Sequence, residues 1–236
     1  MLLSNDCAVT VLFTVLPESG EAQHVPEAVN RLTAYEQSRY IGKLNPLHRL
    51  QFLAGRLLAQ QLFAEHCPGA VCSLQTDNAS GKPRIAGQPG WGISISHSGA
   101  LVACALNPLG PAGIDVEAIR PVDLAAFQTY LLPREWRFIQ RHHDPPSAFF
   151  TLWTRKEAVA KADGRGLGLD FQHLDALNPD FPVGQENWSC QSLPLQPGFA
   201  AALAFSKITA PAGSLIRRAD LPDLLVDHTA HNETST

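Results

Sequence analysis

Hydrophobic positions alternate from the start of the chain. Val9, Val11, Phe13 and Val15 fall on one side of an extended segment, the pattern of a half-buried strand. Pro26 to Arg39 can form a helix. A stronger one starts at Asn45-Pro46, a cap followed by proline at the first helical position, and runs to about His66. Leu50, Leu53, Ala54, Leu57 and Leu58 give that helix its apolar stripe. Arg49 and Arg56 lie on nearly the same meridian, two turns apart. Turn formers fill Asp77 to Gly90. Gly92 to Ser96 and Leu101 to Leu106 then read as a hairpin closed by a His97-Ser98-Gly99-Ala100 turn.

Beyond the breakers between Asn107 and Gly113 comes a strand, Gly113 to Glu117. Asp123 to His143 reads as helical, interrupted near Pro133. Ser147 can cap a long helix ending at Asp163, with Gly164 as its stop. Gly164 to Pro197 is irregular with a few possible strands, and Phe199 to Ile208 is a buried strand. From Pro211 the chain turns polar, a flexible tail by this reading. Hairpins mixed with helices predict an α+β fold, and the dinucleotide-binding glycine pattern is missing.

Composition narrows the setting. A hydrophobic share of 45% and a charged share of 17% suit a soluble globule with a real core. A net charge of −4 gives no basic field for nucleic acid or an acidic membrane, so anions must be met by local Arg and Lys clusters. The five cysteines are scattered without a CxxC pair, which favours free thiols over a disulfide framework or zinc site. The apolar N-terminus lacks a basic leader and carries Asp6, and no run is apolar enough to cross a bilayer. The expectation is a cytoplasmic protein.

Chemistry concentrates in a few places. In Gly113-Ile114-Asp115-Val116-Glu117, alternation puts both carboxylates on one side of a strand, roughly 6–7 Å apart at Cα. Such a pair can share a hard cation such as Mg²⁺, or can simply be a solvated acidic edge. Trp153, Glu157 and Lys161 follow at four-residue spacing on one helical face. Glu157 is there a third carboxylate or a general base with Lys161 balancing phosphate charge, or the two form a surface ion pair. Ser96 and His97 can offer hydroxyl, imidazole and backbone N–H groups to a phosphate, or be ordinary turn residues. Lys82, stiffened by Pro83, has the same two readings.

Taken in order, these blocks resemble the Sfp-type 4′-phosphopantetheinyl transferases. They are Gly81-Lys82-Pro83, Ile95-Ser96-His97-Ser98-Gly99, Gly113-Ile114-Asp115-Val116-Glu117, and Leu152-Trp153-Thr154-Arg155-Lys156-Glu157 with Ala158-Val159-Ala160-Lys161. Leu53-Ala54-Gly55-Arg56 and Trp153 to Ala158 are most similar to the compact bacterial members that serve acyl carrier proteins. The likeness covers roughly residues 46 to 170.

The resemblance implies two similar halves related by a pseudo-twofold, with the active site in the cleft between them. The first half, 1–112, would bind coenzyme A, and the second, 113–210, would carry the metal and catalytic residues. Residues 211–236 would be a flexible tail. Asp115, Glu117 and Glu157 would hold Mg²⁺, or Mn²⁺, on the pyrophosphate of coenzyme A. Lys161 and His97 would contact phosphates, Lys82 and Ser96 would line the nucleotide site, and Arg49 and Arg56, together with Arg39, would grip the 3′-phosphate.

The implied reaction is attack by a carrier-protein serine on the β-phosphate, expelling adenosine 3′,5′-bisphosphate. Glu157 would be the base, directly or through water held by the metal, and Lys161 would assist. Arg134, Arg137 and Arg141 lie at i, i+3 and i+7 and could dock the acidic helix of an apo acyl or peptidyl carrier protein; a solvated helix face is the equal alternative. The expected assembly is a monomer without nucleic-acid or membrane partners. A metal-dependent coenzyme A phosphohydrolase and a non-catalytic coenzyme A binding module are the rival readings.

Overall fold

The computed structural model describes residues 8–77, 81–208 and 213–226. Strand β1 (Ala8–Val15) is followed by two short helices, α1 (Val25–Val29) and α2 (Ala34–Ile41), then by the long α3 (Pro46–His66). The single helix expected from Pro26 to Arg39 is therefore split. Thr33 breaks it by capping α2 in a reciprocal box with Glu36. Asn45 caps α3, as its sequence predicts, by accepting from the His48 N–H at 3.2 Å.

A small hairpin, β2 (Leu74–Thr76) and β3 (Pro83–Ile85), precedes the larger one of β4 (Gly92–Ser98) and β5 (Leu101–Asn107). In the larger hairpin His97 pairs with Val102 and Ser98 with Leu101, so both lie on the strand rather than in the turn. Gly99, at φ 52°, lets two residues make the reversal.

Next come β6 (Ala112–Ala118), a 3₁₀ segment at Leu124–Tyr130, α4 (Pro133–Arg141) and α5 (Pro145–Asp163). Asp144, not Ser147, caps α5: its carboxylate accepts from the Ser147 N–H at 3.1 Å. The irregular region resolves into β7 (Asp180–Val183) and β8 (Glu186–Ser192) ahead of β9 (Phe199–Ser206).

With β10 (Gly213–Arg218) near the end of the described chain, the larger strands form two four-stranded sheets, β10-β1-β5-β4 and β6-β9-β8-β7. Alternation explains their stacking. Val9, Val11 and Phe13 of β1, Leu101, Ala103 and Ala105 of β5, Ile114 and Val116 of β6, and Ala201 and Leu203 of β9 make one core between the sheets. The intervening residues face outward onto helices: Leu12, Val102 and Cys104 onto the core under α3, Ala200, Ala202 and Ala204 onto the core under α5. The layers run helix, sheet, sheet, helix, and the central strands β1, β5 and β9 are covered on both faces.

The expected flexible tail from 211 departs from the structure over its described part. Strand β10 (Gly213–Arg218) pairs parallel with β1, and α6 (Leu221–Leu225) buries Leu221, Leu224 and Leu225 beside α3. The polar composition that suggested a tail is that of an edge strand in which no residue is buried. Residues 227–236 lie outside the described residues.

Cys67, Cys72, Cys104 and Cys190 are free thiols, as read, and Cys7 lies outside the described residues. Among the described residues no helix is long and apolar enough to cross a membrane.

Candidate active site

Strand β6 and helix α5 meet at unusually short range because Gly113 has no side chain. A Cβ there would lie 2.1 Å from the Ala158 carbonyl oxygen and 2.4 Å from the Ala162 nitrogen. The helix backbone occupies the space a side chain would need. Asp115, two residues along β6, is thereby brought to the face of α5 that carries Glu157 and Lys161.

The Lys161 Nζ lies 2.7 Å from Asp115 Oδ1 and donates to Ser96 Oγ at 2.8 Å. Ser96 Oγ in turn donates to Asp115 Oδ1 at 3.0 Å. The second carboxylate oxygen of Asp115, Oδ2, is buried without a hydrogen-bond partner. Ser98 Oγ donates to Glu117 Oε2 at 2.9 Å.

Electrostatics follow from this crowding. Burial holds the Asp115 carboxyl above the ordinary carboxylate range, against the pull of Lys161 and its hydrogen bonds. Glu117 is raised chiefly by burial, with the Ser98 bond opposing and Asp115 adding. Burial also raises Glu157, with Asp115 and Glu117 adding to it and Lys161 opposing. Asp115 thus raises the proton affinity of Glu117 and Glu157, and Glu117 that of Glu157, beside one ammonium. Among the described residues, no three acidic, His or Cys side chains already close into a metal cage.

His97 stands near the same group, on β4. Loss of hydration, then Lys161, Lys43 and His48, hold its imidazole below the usual value, so the ring is neutral at pH 7. Gln51 of α3 supports this corner by donating to the Gly99 carbonyl at 2.7 Å.

Basic residues of α2, α3 and the loop between them gather around a residue the sequence reading passed over, Phe52. The side-chain charges of Arg39, Lys43 and Arg56 lie 5.6, 5.4 and 4.7 Å from its ring centre. Arg56 is nearly covered and lies 3.1 Å from the buried Glu36. Arg49 donates from Nε to the Lys43 carbonyl, fixing the loop before α3. Phe52 was legible by spacing, since it stands three residues after Arg49 and four before Arg56 on one helix, whereas Lys43, in the loop before α3, had no such signal.

Lys82 reaches across to helix α5, donating from Nζ to the Ala162 carbonyl at 2.9 Å. Burial, then the nearby Arg84, pulls its pKa down to about 8, with Asp163 opposing. It lines a cavity of about 700 Å³ between the β2–β3 hairpin and the end of α5.

Lys156, inside the same motif as Glu157, proves structural. It is wholly buried, 2.6 Å from Glu135 Oε2, and donates to the Tyr130 and Phe171 carbonyls at 3.0 and 2.8 Å. Glu135 also accepts from the Leu132 and Ala176 N–H groups. Every donor and charge in this pair is matched, which locks α4 and the 3₁₀ segments onto α5.

On α4, Arg134, Arg137 and Arg141 share a groove with Phe138, which is 42% exposed. Arg134 is 2.6 Å from Asp175, which offsets part of its charge.

The 4′-phosphopantetheinyl transferase superfamily matches residues 111–204. The chain is similar to the 4′-phosphopantetheinyl transferase HetI of Nostoc sp., with 32% identity over 170 residues, 67% of this chain and 72% of that protein. The chain belongs to the 4′-phosphopantetheinyl transferase family.

AcpT of Salmonella typhimurium is 36% identical over 138 residues, 56% of this chain and 68% of that transferase. Sfp of Bacillus subtilis is 34% identical over 109 residues, spanning 45% and 48%. Among solved structures, the holo-[acyl-carrier-protein] synthase of Thermotoga maritima aligns with TM-score 0.32 and 20% identity, covering 41% of this chain and 62% of that one. The superfamily match spans β6 to β9, and so includes every residue of the carboxylate group contributed by the second sheet and α5.

Proposed function

We propose that this transferase moves the phosphopantetheine arm of coenzyme A onto a serine of an apo acyl or peptidyl carrier protein in the cytoplasm. The observation that carries the reading is the buried, unpartnered Asp115 Oδ2 beside Glu117, Glu157 and Lys161. A hard oxygen set with mutual repulsion and an orphaned lone pair fits a divalent cation. Asp115, Glu117 and Glu157 are the residues that would hold Mg²⁺, or Mn²⁺. Such an ion would neutralise charge on the coenzyme A pyrophosphate.

The rest belongs to the chain's own groups. Glu157, its proton affinity raised, takes the proton from the carrier serine as the new P–O bond forms at the β-phosphate. The bond to adenosine 3′,5′-bisphosphate breaks with its electron pair on the leaving oxygen. Lys161 balances phosphate charge, and neutral His97 serves as a hydrogen-bond donor rather than a second cation. Arg49, Arg56 and Lys82 serve the nucleotide phosphates, with Arg39 and Lys43 sharing the ring of Phe52. Since Ser96 Oγ is already engaged by Asp115 and Lys161, its part in the nucleotide site is to hold those two groups.

The two halves, 1–112 and 113–210, are taken as pseudo-twofold relatives, a reading supported by one long helix backing each four-stranded sheet. The α4 groove, with Arg137 and Arg141 beside an apolar Phe138, suits an acidic carrier helix; Arg165, paired with Asp163, is a poorer candidate.

The test is intact mass spectrometry of apo carriers incubated with protein, coenzyme A and Mg²⁺. The carrier gains the arm, chelation stops it, Mg²⁺ or Mn²⁺ restores it, and Asp115→Ala is silent throughout while still binding coenzyme A. Cleavage of coenzyme A with no loaded carrier would instead mark a phosphohydrolase. Binding without either reaction would mark a non-catalytic module.

A further inference from the structure

Three serines alternate along β4, and each accepts a backbone N–H from β6. Ser94 Oγ takes Ile114 at 3.1 Å, Ser96 Oγ takes Val116 at 3.3 Å, and Ser98 Oγ takes Ala118 at 3.0 Å. Strands β4 and β6 are edges of different sheets. Side-chain oxygens therefore join across the two sheets what main-chain carbonyls join within one.

The rungs are not equivalent. A hydroxyl has one proton to give, and once its oxygen is fixed by a backbone N–H the proton has one direction left to point. In Ser96 and Ser98 that proton goes to a carboxylate, Asp115 and Glu117 respectively. Ser94 stands opposite Gly113, where there is no carboxylate to meet. Ser96 is further tied to Lys161. Among the described residues, Ser98 is thus the rung whose hydroxyl meets an acid and no other side chain.

We propose that Ser98 is a positioning residue for Glu117, its Oγ held by the Ala118 N–H and its proton orienting the carboxylate toward the cation. This rests on the reading of Asp115, Glu117 and Glu157 as cation ligands. Ser98 belongs to the first half and Glu117 to the second. The acid is therefore aimed only when the two sheet edges are in register. Outer partners of this kind set a ligand's orientation, and their removal weakens metal binding roughly 10–100-fold.

The experiment measures Mn²⁺ binding by electron paramagnetic resonance in the presence of coenzyme A, and the Mg²⁺ concentration that half-saturates carrier loading. Wild type, Ser98→Ala, Ser98→Thr and Ser94→Ala are compared. Ser98→Ala binds Mn²⁺ about tenfold or more weakly, Ser98→Thr recovers affinity by restoring the hydroxyl, and Ser94→Ala loses only thermal stability. Ser98→Cys keeps the size with a weak donor and replaces the alanine variant if that one folds poorly. Equal Mn²⁺ affinity in wild type and Ser98→Ala, or an equal loss in Ser94→Ala, overturns the assignment and leaves the ladder a structural seam. A wild-type protein that neither binds Mn²⁺ nor needs Mg²⁺ overturns the cation reading as well, and is told apart by failing before any substitution.

Discussion

A lysine whose proton is held weakly makes ligand binding sensitive to pH at an unusual place. Lys82, with its pKa drawn down to about 8 by burial and by Arg84, is largely charged at pH 7 and largely neutral at pH 9. An anionic phosphate binds the charged form, so affinity is full below about 8 and declines as pH rises through it. Coenzyme A affinity, measured calorimetrically, will fall roughly tenfold between pH 7 and 9, the scale of one charge-assisted contact. Lys82→Arg, always charged, will flatten that profile. A wild-type profile as flat as that of the arginine variant would remove Lys82 from the phosphate site. The residue types gathered here were readable from sequence because the Gly-Lys-Pro, Asp-x-Glu and Lys-Glu blocks occur in that order, although each alone has an ordinary structural reading. Their partners were not. Nothing near Ser98 in the chain says that its hydroxyl will meet Glu117, because that contact depends on how two sheet edges align.

Elements meet here on terms set by a missing side chain. Helix α5 lies against β6 where Gly113 leaves room for its backbone, so Gly113→Ala forces backbone to move rather than a flexible side chain. Overpacking of this kind costs ~1–3 kcal/mol, occasionally more. Because Glu157 and Lys161 ride on the displaced helix while Asp115 stays on the strand, transfer will fall further than stability. Thermal melting and the loading rate of one preparation separate the two effects: a variant with a lowered melting temperature but an unchanged rate would show that the close approach matters only for packing. At this scale period served well. The stripe on α3 and the alternation on β6 gave helix and strand correctly. Boundaries failed where a short polar residue could cap from either of two positions, as Asp144 and Ser147 could at α5. They failed also where a glycine tightened a turn, as Gly99 did beneath His97 and Ser98.

For the whole molecule, the weight of the C-terminal segment is the least expected result. Leu221, Leu224 and Leu225 complete the core beneath α3, Gln191 of the second sheet donates to Ser214 of β10 at 2.6 Å, and Arg217 pairs with Glu65 of α3. Leu225→Ala, at a side chain 1% exposed, will lower unfolding free energy by ~2–5 kcal/mol in urea titration. A midpoint unmoved by that change would return the segment to the status of an appendage. Pairwise strand contacts between such distant positions leave no trace in local pattern, which is why composition alone made this segment look like a tail.

The parallel pairing of Ala8 with Gly213 also has a consequence in time. A ribosome delivers β1, α3, β4 and β5 long before β10 and α6. The ~100 intervening residues take roughly 5–20 s at ordinary elongation rates. Through that interval the nascent β1-to-β5 segment has an open strand edge at β1 and an uncovered apolar flank on α3, surfaces that invite pairing with other chains. The sheet begun first is the sheet finished last.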